Sequence, residues 1–505
     1  MEKRENNNSY SHILKYTGLF GGVQGLNILI GIVRNKLVAM MLGPDGMGLV
    51  SLFNSTIKLV SDSSNFGLSM SAVKNISKAV DSGDEDKIHD AVRLIRSWSF
   101  LTALLGMLLC IVLSPLLSRW TFAWGDHTLH FVLLSPVVAL MAIVGGETAI
   151  LKGARQLRKL AVISIYNVLF ALVCSVPIYY FFGQAGIVPS LILLALAQCV
   201  ITIYYSYRLF RPTVLFSRGH IRQGEGMIRL GIAFVLAGIL GSGAEFVLRS
   251  YLNNMGELYT VGLYNAGYVM TMTYAGMVFS AMETDYFPRL SGISSLGPQL
   301  NQTVNHQIEV SLLLVSPLLV LFIVALPILL PLFYSGKFMP VLDMVKIAAI
   351  AMYFRALVLP VEYISLSRGD SRSYLLLEAV YDLAFVLLVI VGYQCFGLVG
   401  TGVGLAVAGM VNLVTVLAYA HWKYNYTMAS SARLYTFIQL PLGIITCVGT
   451  FLLDGIFYWI AGILLTTVSM GVSVQILRSK TNLWNALTER VGQRLLRGRK
   501  GRKNE

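Results

Sequence analysis

Charge is scarce in this chain. Asp, Glu, Lys and Arg together make up 13% of its 505 residues, against about a quarter in a soluble globular domain. That scarcity excludes a water-soluble protein as the bulk of the chain. Cysteine is rare as well: the five (Cys110, Cys174, Cys199, Cys395 and Cys447) are scattered through apolar stretches, without the close pairs of a metal site or redox motif. The seven histidines show no metal-ligand spacing. No metal and no bound cofactor are therefore expected. No G-x-x-x-x-G-K-[ST] phosphate loop occurs; the nearest stretch, SGKF at 335–338, lacks the first glycine and the hydroxyl residue. H-E-x-x-H, G-x-S-x-G and a cluster of paired carboxylates in a large outer loop are missing too, which argues against ATP hydrolysis and against an enzyme such as a membrane glycosyltransferase or ligase.

Apolar sequence is what the chain has in abundance. Hydrophobic residues make up 56% of it, and about 20 of them in a row suffice to cross the hydrocarbon as a helix. Fourteen segments qualify, numbered here as spans 1 to 14: 15–33, 47–72, 97–118, 128–150, 159–181, 186–207, 228–252, 259–281, 308–333, 341–366, 374–396, 398–420, 433–453 and 456–477. Such unbroken runs exclude a membrane β-barrel, whose strands alternate in polarity. The fold class is all-α and polytopic. The opening MEKRENNNSY is too polar for a secretory signal and no small-residue cleavage site follows span 1, so this end is expected to stay as an anchor.

The net charge of +14 is mostly a record of topology. With both termini placed in the cytoplasm, 31 of the 39 Lys and Arg fall on that side, as the positive-inside rule requires. The basic loops 151–159 and 208–229 and the tail then face anionic headgroups rather than nucleic acid. Tail residues Leu483, Leu487, Val491 and Leu495 recur every four positions between arginines, the pattern of an amphipathic helix on the membrane surface. Trp98, Trp120, Trp124 and Trp422 cluster at span ends as an aromatic belt.

An internal repeat organises the spans. At an offset of 214 or 215, Arg34 falls on Arg249, Gly48-Leu49 on Gly262-Leu263, Lys74 on Arg289, and Glu147 on Glu362. Tyr166-Asn167 falls on Tyr381-Asp382, Phe182-Gly183-Gln-Ala-Gly186 on Phe396-Gly397-Leu-Val-Gly400, and Gln198 on Asn412. Six spans separate the copies, so both halves point the same way. The expected division is an N-terminal lobe at 1–212, a C-terminal lobe at 213–425, an accessory helix pair at 426–478 and a basic cytoplasmic tail at 479–505. Transporters built this way bind substrate near the interface between their lobes and alternate in access.

Charges inside spans need a reason, because each costs about 2.5–3.5 kcal/mol at the bilayer centre on insertion scales. Lys58, Lys346 and Arg355 lie within spans, while Arg34, Lys36 and Arg249 sit toward one end of theirs. Lys58 with Asp62 and Glu245 with Arg249 are four apart and face each other on a helix, as pairs that either neutralise themselves or serve function. Arg34 and Lys36 have no acid three or four residues away. Such cations either snorkel to headgroups or line a watery cavity and hold an anion; a guanidinium suits phosphate because its fork donates two parallel hydrogen bonds. Glycines at 18, 21, 22, 25 and 31 let span 1 bend and be approached closely. Glu147 and Glu362 either anchor loops or take a coupling proton. Glu378 and Asp382, four apart and alike in charge, repel unless a proton or cation joins them, so with Asp62 and Glu245 they are the candidates for H+ or Na+ coupling.

The stretch K-L-V-A-M-M-L-G-P-D-G-M-G-L (36–49) resembles the polysaccharide or O-antigen flippases of the multidrug/oligosaccharidyl-lipid/polysaccharide (MOP) exporter superfamily, in which a cation and an apolar stretch lead into L-G-P-x-G-x-G-L. S-A-V-K-N-I-S (71–77) and A-I-L-K-G-A-R-Q (149–156) are similar to family patterns as well. The resemblance implies two six-helix lobes around a central cavity. It also implies transport of an undecaprenyl-pyrophosphate-linked oligosaccharide from the cytoplasmic to the periplasmic leaflet of a bacterial inner membrane. By the same resemblance Arg34 and Lys36 contact the pyrophosphate, Lys58 and Arg249 join them by position, and spans 13 and 14 form a groove for the lipid tail. Membrane lipids and other polysaccharide-assembly membrane proteins are the further partners. Two rivals stay open: a multidrug or cation antiporter of the same superfamily, and a membrane O-antigen polymerase or ligase.

Overall fold

The computed structural model describes residues 2–212, 214, 225–276, 279, 286–287, 289–293 and 295–480; the side chains of 2–24, 68–70, 225–234, 274–275 and 480 are outside that description. The tail pattern at 483–496, much of the basic loop 208–229 and part of span 8 lie outside the described residues. The described residues are overwhelmingly helical and hold no strand, and ten helices are long and apolar enough to cross a membrane. Three of these each carry two successive spans, Gly25–Ser64, Leu157–Tyr207 and Ser371–Tyr424. The protein is a multi-pass membrane protein.

The chain forms two compact units, one of Met1–Gly267, Ile328–Leu342 and Ser371–Gly404, the other of Tyr268–Pro327, Asp343–Asp370 and Leu405–Glu505. The first takes in segments from both halves of the repeat.

In the first unit, spans 1 and 2 run as one helical stretch, Glu2–Ser64, broken only at Gly43 (φ 64°, ψ −172°). The L-G-P sequence makes the break: glycine alone enters that backbone region without strain, and Pro44, with no N–H to donate, suits the first turn of the next segment. Four residues on, Gly48 packs against the Leu258 carbonyl, while its repeat counterpart Gly262 packs against the Pro44 carbonyl. Pro44 and Leu258 are themselves 214 apart, so the contact between span 2 and span 8 is reciprocal. A Cβ at either glycine would enter the other segment's backbone, which is why small residues stand here.

The repeat is also visible in local backbone shape. Phe182 (φ −112°, ψ −7°) and Gly183 (φ 54°, ψ −132°) turn the chain from span 5 to span 6. Phe396 (φ −134°, ψ 17°) and Gly397 (φ 58°, ψ −141°) make the same turn from span 11 to span 12.

Some helices are longer than their apolar runs. Glu85–Thr121 begins twelve residues before span 3, and Pro298–Phe333 ten before span 9. The polar first turns are amphipathic rather than apolar, so they read as loop in a hydropathy scan yet remain helical. Asp84 starts the first of them, accepting from the backbone N–H of Asp86 (3.1 Å) and Lys87 (3.4 Å) as an N-cap does. Under it, Ile76, Val92, Ile95, Ala149 and Ile150 form an apolar core.

In the second unit the start of span 13 is tied to span 9. Asn305 donates to the Thr427 carbonyl (2.9 Å) and accepts from Tyr426 OH (3.0 Å) and the Ala429 N–H (2.8 Å). Spans 13 and 14 are Ser430–Leu452 and Gly455–Lys480. They are joined through Gln439, which donates to the Ser469 carbonyl (3.3 Å) and Ser473 Oγ (3.0 Å) and accepts from Ser469 Oγ (2.7 Å). Such hydrogen bonds between membrane helices contribute about 0.6 kcal/mol each.

Candidate functional site

Nine of the ten candidate residues belong to the first unit; Glu362 belongs to the second. The nine do not form one cluster.

Arg34, near the middle of the 63-residue stretch Glu2–Ser64, sits about 13 Å along the helix from the Gly43 turn at 1.5 Å per residue. Its side chain is half-buried and turns toward span 5, where Nε donates to Ser175 Oγ at 3.0 Å. No carboxylate among the described residues pairs with it. Two turns earlier on span 1, Asn27 Nδ2 donates to Ser164 Oγ at 2.6 Å, so spans 1 and 5 are joined by short polar contacts. Lys36 leaves the helix on another side and donates to the Pro331 carbonyl. Two residues apart means about 200° apart around a helix, so the two cations serve different surroundings.

Lys58, Arg249 and Glu245 form a chain. Glu245 Oε1 lies 3.4 Å from Lys58 Nζ and its Oε2 3.2 Å from Arg249. Arg249 is buried and further held by Ser51 Oγ (2.9 Å) and Asn265 Oδ1 (3.4 Å), while the Lys58 side chain stays 48% exposed. The i,i+4 partner Asp62 is not the one Lys58 takes: Glu245, from span 7, accepts its ammonium. Asp62 stands beside Ser242, Lys58 and Glu245.

Span 11 completes the group. Asp382 is only 9% exposed, its Oδ2 has no hydrogen-bond partner among the described residues, and Glu378, Glu245 and Lys58 are its charged neighbours. Gly241 of span 7 lies beside this carboxylate, a Cβ there falling 3.9 Å from Oδ2. Two cations thus face four carboxylates across spans 2, 7 and 11. Like charges this close in a medium of low dielectric repel one another, and Lys58 and Arg249 offset part of that repulsion. Among the described residues no set of three His, Cys, Asp or Glu is arranged to hold a metal ion.

Glu147 is committed elsewhere. It pairs with Arg96, 2.8 Å from Nε and 3.2 Å from NH2, with both side chains at most 4% exposed. Ser206 donates to the same carboxylate, and Arg96 goes on to the Arg211 carbonyl (2.7 Å) and over the Tyr207 ring (4.3 Å). The network ties spans 3, 4 and 6 to the chain leaving span 6. Glu362 lies half-buried on span 10, away in sequence from every other candidate.

Residues that spacing alone leaves unmarked include Arg96, Ser175 and the Ser51–Asn265 pair, which hydrogen-bond at 2.9 Å. Only the last carried a signal, because 51 and 265 differ by the repeat offset.

The family described as "Polysaccharide biosynthesis protein" matches residues 13–294. A search of curated proteins finds no match. Among solved structures, an inward-facing multidrug resistance MATE family transporter of the MOP superfamily is similar at 14% identity, over 79% of this chain and 94% of that one, with a TM-score of 0.64. The lipid II flippase MurJ in an inward closed conformation is similar at 15% identity, over 91% and 99%, with a TM-score of 0.61. A MOP superfamily transporter from Pyrococcus furiosus, titled for the reverse polarity of its binding pocket, is similar at 15% identity, over 81% and 94%, with a TM-score of 0.55. The fold is that of the MOP transporters.

Proposed function

Because the chain belongs to the polysaccharide biosynthesis protein family and has a transporter's fold rather than an enzyme's, we propose that it is a flippase for a lipid-linked oligosaccharide. The carried molecule is an undecaprenyl-pyrophosphate-linked repeat unit of a surface polysaccharide such as O-antigen. It moves from the cytoplasmic to the periplasmic leaflet of a bacterial inner membrane by alternating access between lobes at 1–212 and 213–425. Both termini face the cytoplasm.

The observation that carries this reading is Arg34: a half-buried guanidinium at the end of span 1, held by one serine hydroxyl and by no carboxylate among the described residues. It is positioned for an anion and keeps donors free for a pyrophosphate. Lys36 has its ammonium on a backbone carbonyl rather than a carboxylate and would serve the same purpose. Arg249 and Lys58 are the weaker candidates for that contact, since they share one carboxylate, Glu245. Outward movement of an anion is favoured by about 2.3 kcal/mol per charge per 100 mV of interior-negative potential. The acids of spans 2, 7 and 11 would add H+ or Na+ coupling to that drive.

Those same acids support a second reading, a cation or multidrug antiporter, because four carboxylates against two cations attract positive ligands. Cells lacking a glycan flippase separate the two. Restored surface glycan on supplying this chain, lost again with Arg34→Ala at undiminished protein level, is the expected result; drug resistance without restored glycan would replace the flippase by the antiporter.

A further inference from the structure

Between spans 3 and 4 the helix Glu85–Thr121 gives way to a short loop that re-enters helix at Thr128. The end of span 7 fixes that loop. Asn254 accepts from the Ala123 N–H (3.0 Å) and donates to the Trp120 carbonyl (2.9 Å), and Asn253 donates to the Thr121 carbonyl (2.7 Å). A cavity of about 610 Å³ lies against the loop, with Ser118, Arg119, Phe122, Trp124 and Asp126 in its lining.

Three of these side chains have binding capacity to spare. Arg119 is exposed, with no hydrogen bond or ion pair among the described residues. Asp126 uses one oxygen, Oδ1, to accept from the Thr128 N–H (2.9 Å) and from the Thr128 and Ser118 hydroxyls. Those bonds, the one from the Thr128 hydroxyl foremost, hold its carboxyl below the usual carboxylate range, so it stays charged with Oδ2 left for another donor. Trp124 keeps its ring 55% exposed, steadied edge to face by Phe122 (5.4 Å) and His127 (5.0 Å). Opposite charges thus line one cavity without closing on each other. At an offset of 215 the three fall on Tyr334, Met339 and Val341, so the second half makes the matching connection with none of them.

An apolar track leads into the cavity. Along span 3, Leu104, Leu108, Val112 and Pro115 are exposed on one face at spacings of four, four and three, and Arg119 follows four residues later. From Leu104 to Arg119 is about 22 Å at 1.5 Å per residue, more than one leaflet of a hydrocarbon layer about 30 Å thick. A free saccharide or ion gains nothing from such a track, whereas an acyl chain lies along it and brings its headgroup to Arg119.

We propose that the cavity at the ends of spans 3 and 4 binds a phospholipid whose headgroup joins a phosphate to a primary ammonium, of the phosphatidylethanolamine type, drawn from the leaflet that meets this end of the bundle. Arg119 holds the phosphate through its fork, Asp126 Oδ2 accepts from the ammonium, and the face of the Trp124 ring stabilises the same charge. This lipid is a resident of the bilayer, distinct from the cargo, and its headgroup sets part of the chain's stability.

Thermal unfolding of the delipidated full chain in detergent, titrated with short-chain phosphatidylethanolamine or short-chain phosphatidylglycerol, tests the site. Phosphatidylethanolamine should raise the midpoint saturably, at a concentration at least tenfold below the one phosphatidylglycerol needs. Asp126→Asn, which keeps an acceptor for Thr128, should raise the half-saturating phosphatidylethanolamine concentration at least tenfold and Trp124→Leu several-fold, each leaving the phosphatidylglycerol response within twofold. Arg119→Gln should weaken both responses. Trp120→Leu, at the same interface but outside the cavity lining, should change neither. All four positions are exposed, so the variants keep the fold, and their midpoints without lipid check it. Equal half-saturation by the two lipids, a response that never saturates, responses untouched by Arg119→Gln, or a preference that survives Asp126→Asn and Trp124→Leu overturns the proposal. So does a loss in Trp120→Leu as large as in Trp124→Leu, which would make these tryptophans a belt without a headgroup site.

Discussion

Ser51 donates to Asn265 Oδ1 at 2.9 Å, and the two residues stand 214 positions apart, so this hydrogen bond joins a position of the repeat to its own copy. The reciprocal packing of Gly48 and Gly262 lies one turn away. Spans 2 and 8 therefore meet about a local two-fold relation, and their contact is backbone against backbone, which leaves nothing soft to absorb an added atom.

Ser51→Cys with Asn265→Cys, in a chain whose exposed Cys395 is replaced, should form a disulfide on mild oxidation. Adding Gly262→Leu should lower its yield several-fold, because the new side chain meets the Pro44 carbonyl. Gel mobility under non-reducing conditions reads the result.

Arg34→Lys should reduce transport about tenfold or more while keeping the charge. The fork that donates two bonds to one phosphate is lost, and a hydrogen bond to a charged group is worth about 1.5–3 kcal/mol. Lipid-linked oligosaccharide reaching the far leaflet of reconstituted vesicles is the measurement, and an unimpaired rate would remove Arg34 from the anion's path.

Breaking the buried pair should harm folding rather than transport chemistry. Arg96→Ala or Glu147→Ala alone should cost about 3–5 kcal/mol, since each leaves one charge buried without its partner. Arg96→Met with Glu147→Leu should recover most of the loss. Thermal unfolding in detergent would show the singles lower and the double close to the unaltered chain.

Asp382→Asn should leave the protein inserted and remove the dependence of transport on an imposed proton or sodium gradient, the dependence on membrane potential remaining. Vesicle transport under each gradient separately decides it.

Acid should loosen one loop. His127, between spans 3 and 4, has its pKa held below the ordinary value of 6.5 by burial first and by neighbouring His130 second, with Asp126 opposing; the two Nδ1 atoms are 3.2 Å apart. The folded state thus favours neutral His127. Its contribution is present above about 6.5 and is lost as pH falls from there through the lowered value, where the unfolded chain binds the extra proton. Unfolding midpoints between pH 7.5 and 5 should fall for the unaltered chain and fall less for His127→Phe.

Much of the fold was legible. Apolar runs marked the spans, and the offset of 214 matched Phe182-Gly183 to Phe396-Gly397, whose backbone angles agree closely. The amphipathic turns at Glu85 and Pro298 were missed because hydropathy sees only the apolar part of a helix. The charges inside spans were legible; their pairing was not. Helical spacing identifies partners three or four residues away, yet Arg34 takes Ser175, Glu147 takes Arg96, and Lys58 takes Glu245 over Asp62. Those choices depend on which helices are neighbours, which periodicity does not encode.

The left-handed glycines at 183 and 397 leave almost no chain between the helices they join. Spans 5 and 6, and again 11 and 12, are thereby tight helical hairpins, with Phe182 and Phe396 exposed at their crests. A reporter tag or protease site placed at either crest would have to prise the hairpin apart, so these two turns are the wrong places from which to map the topology of the chain.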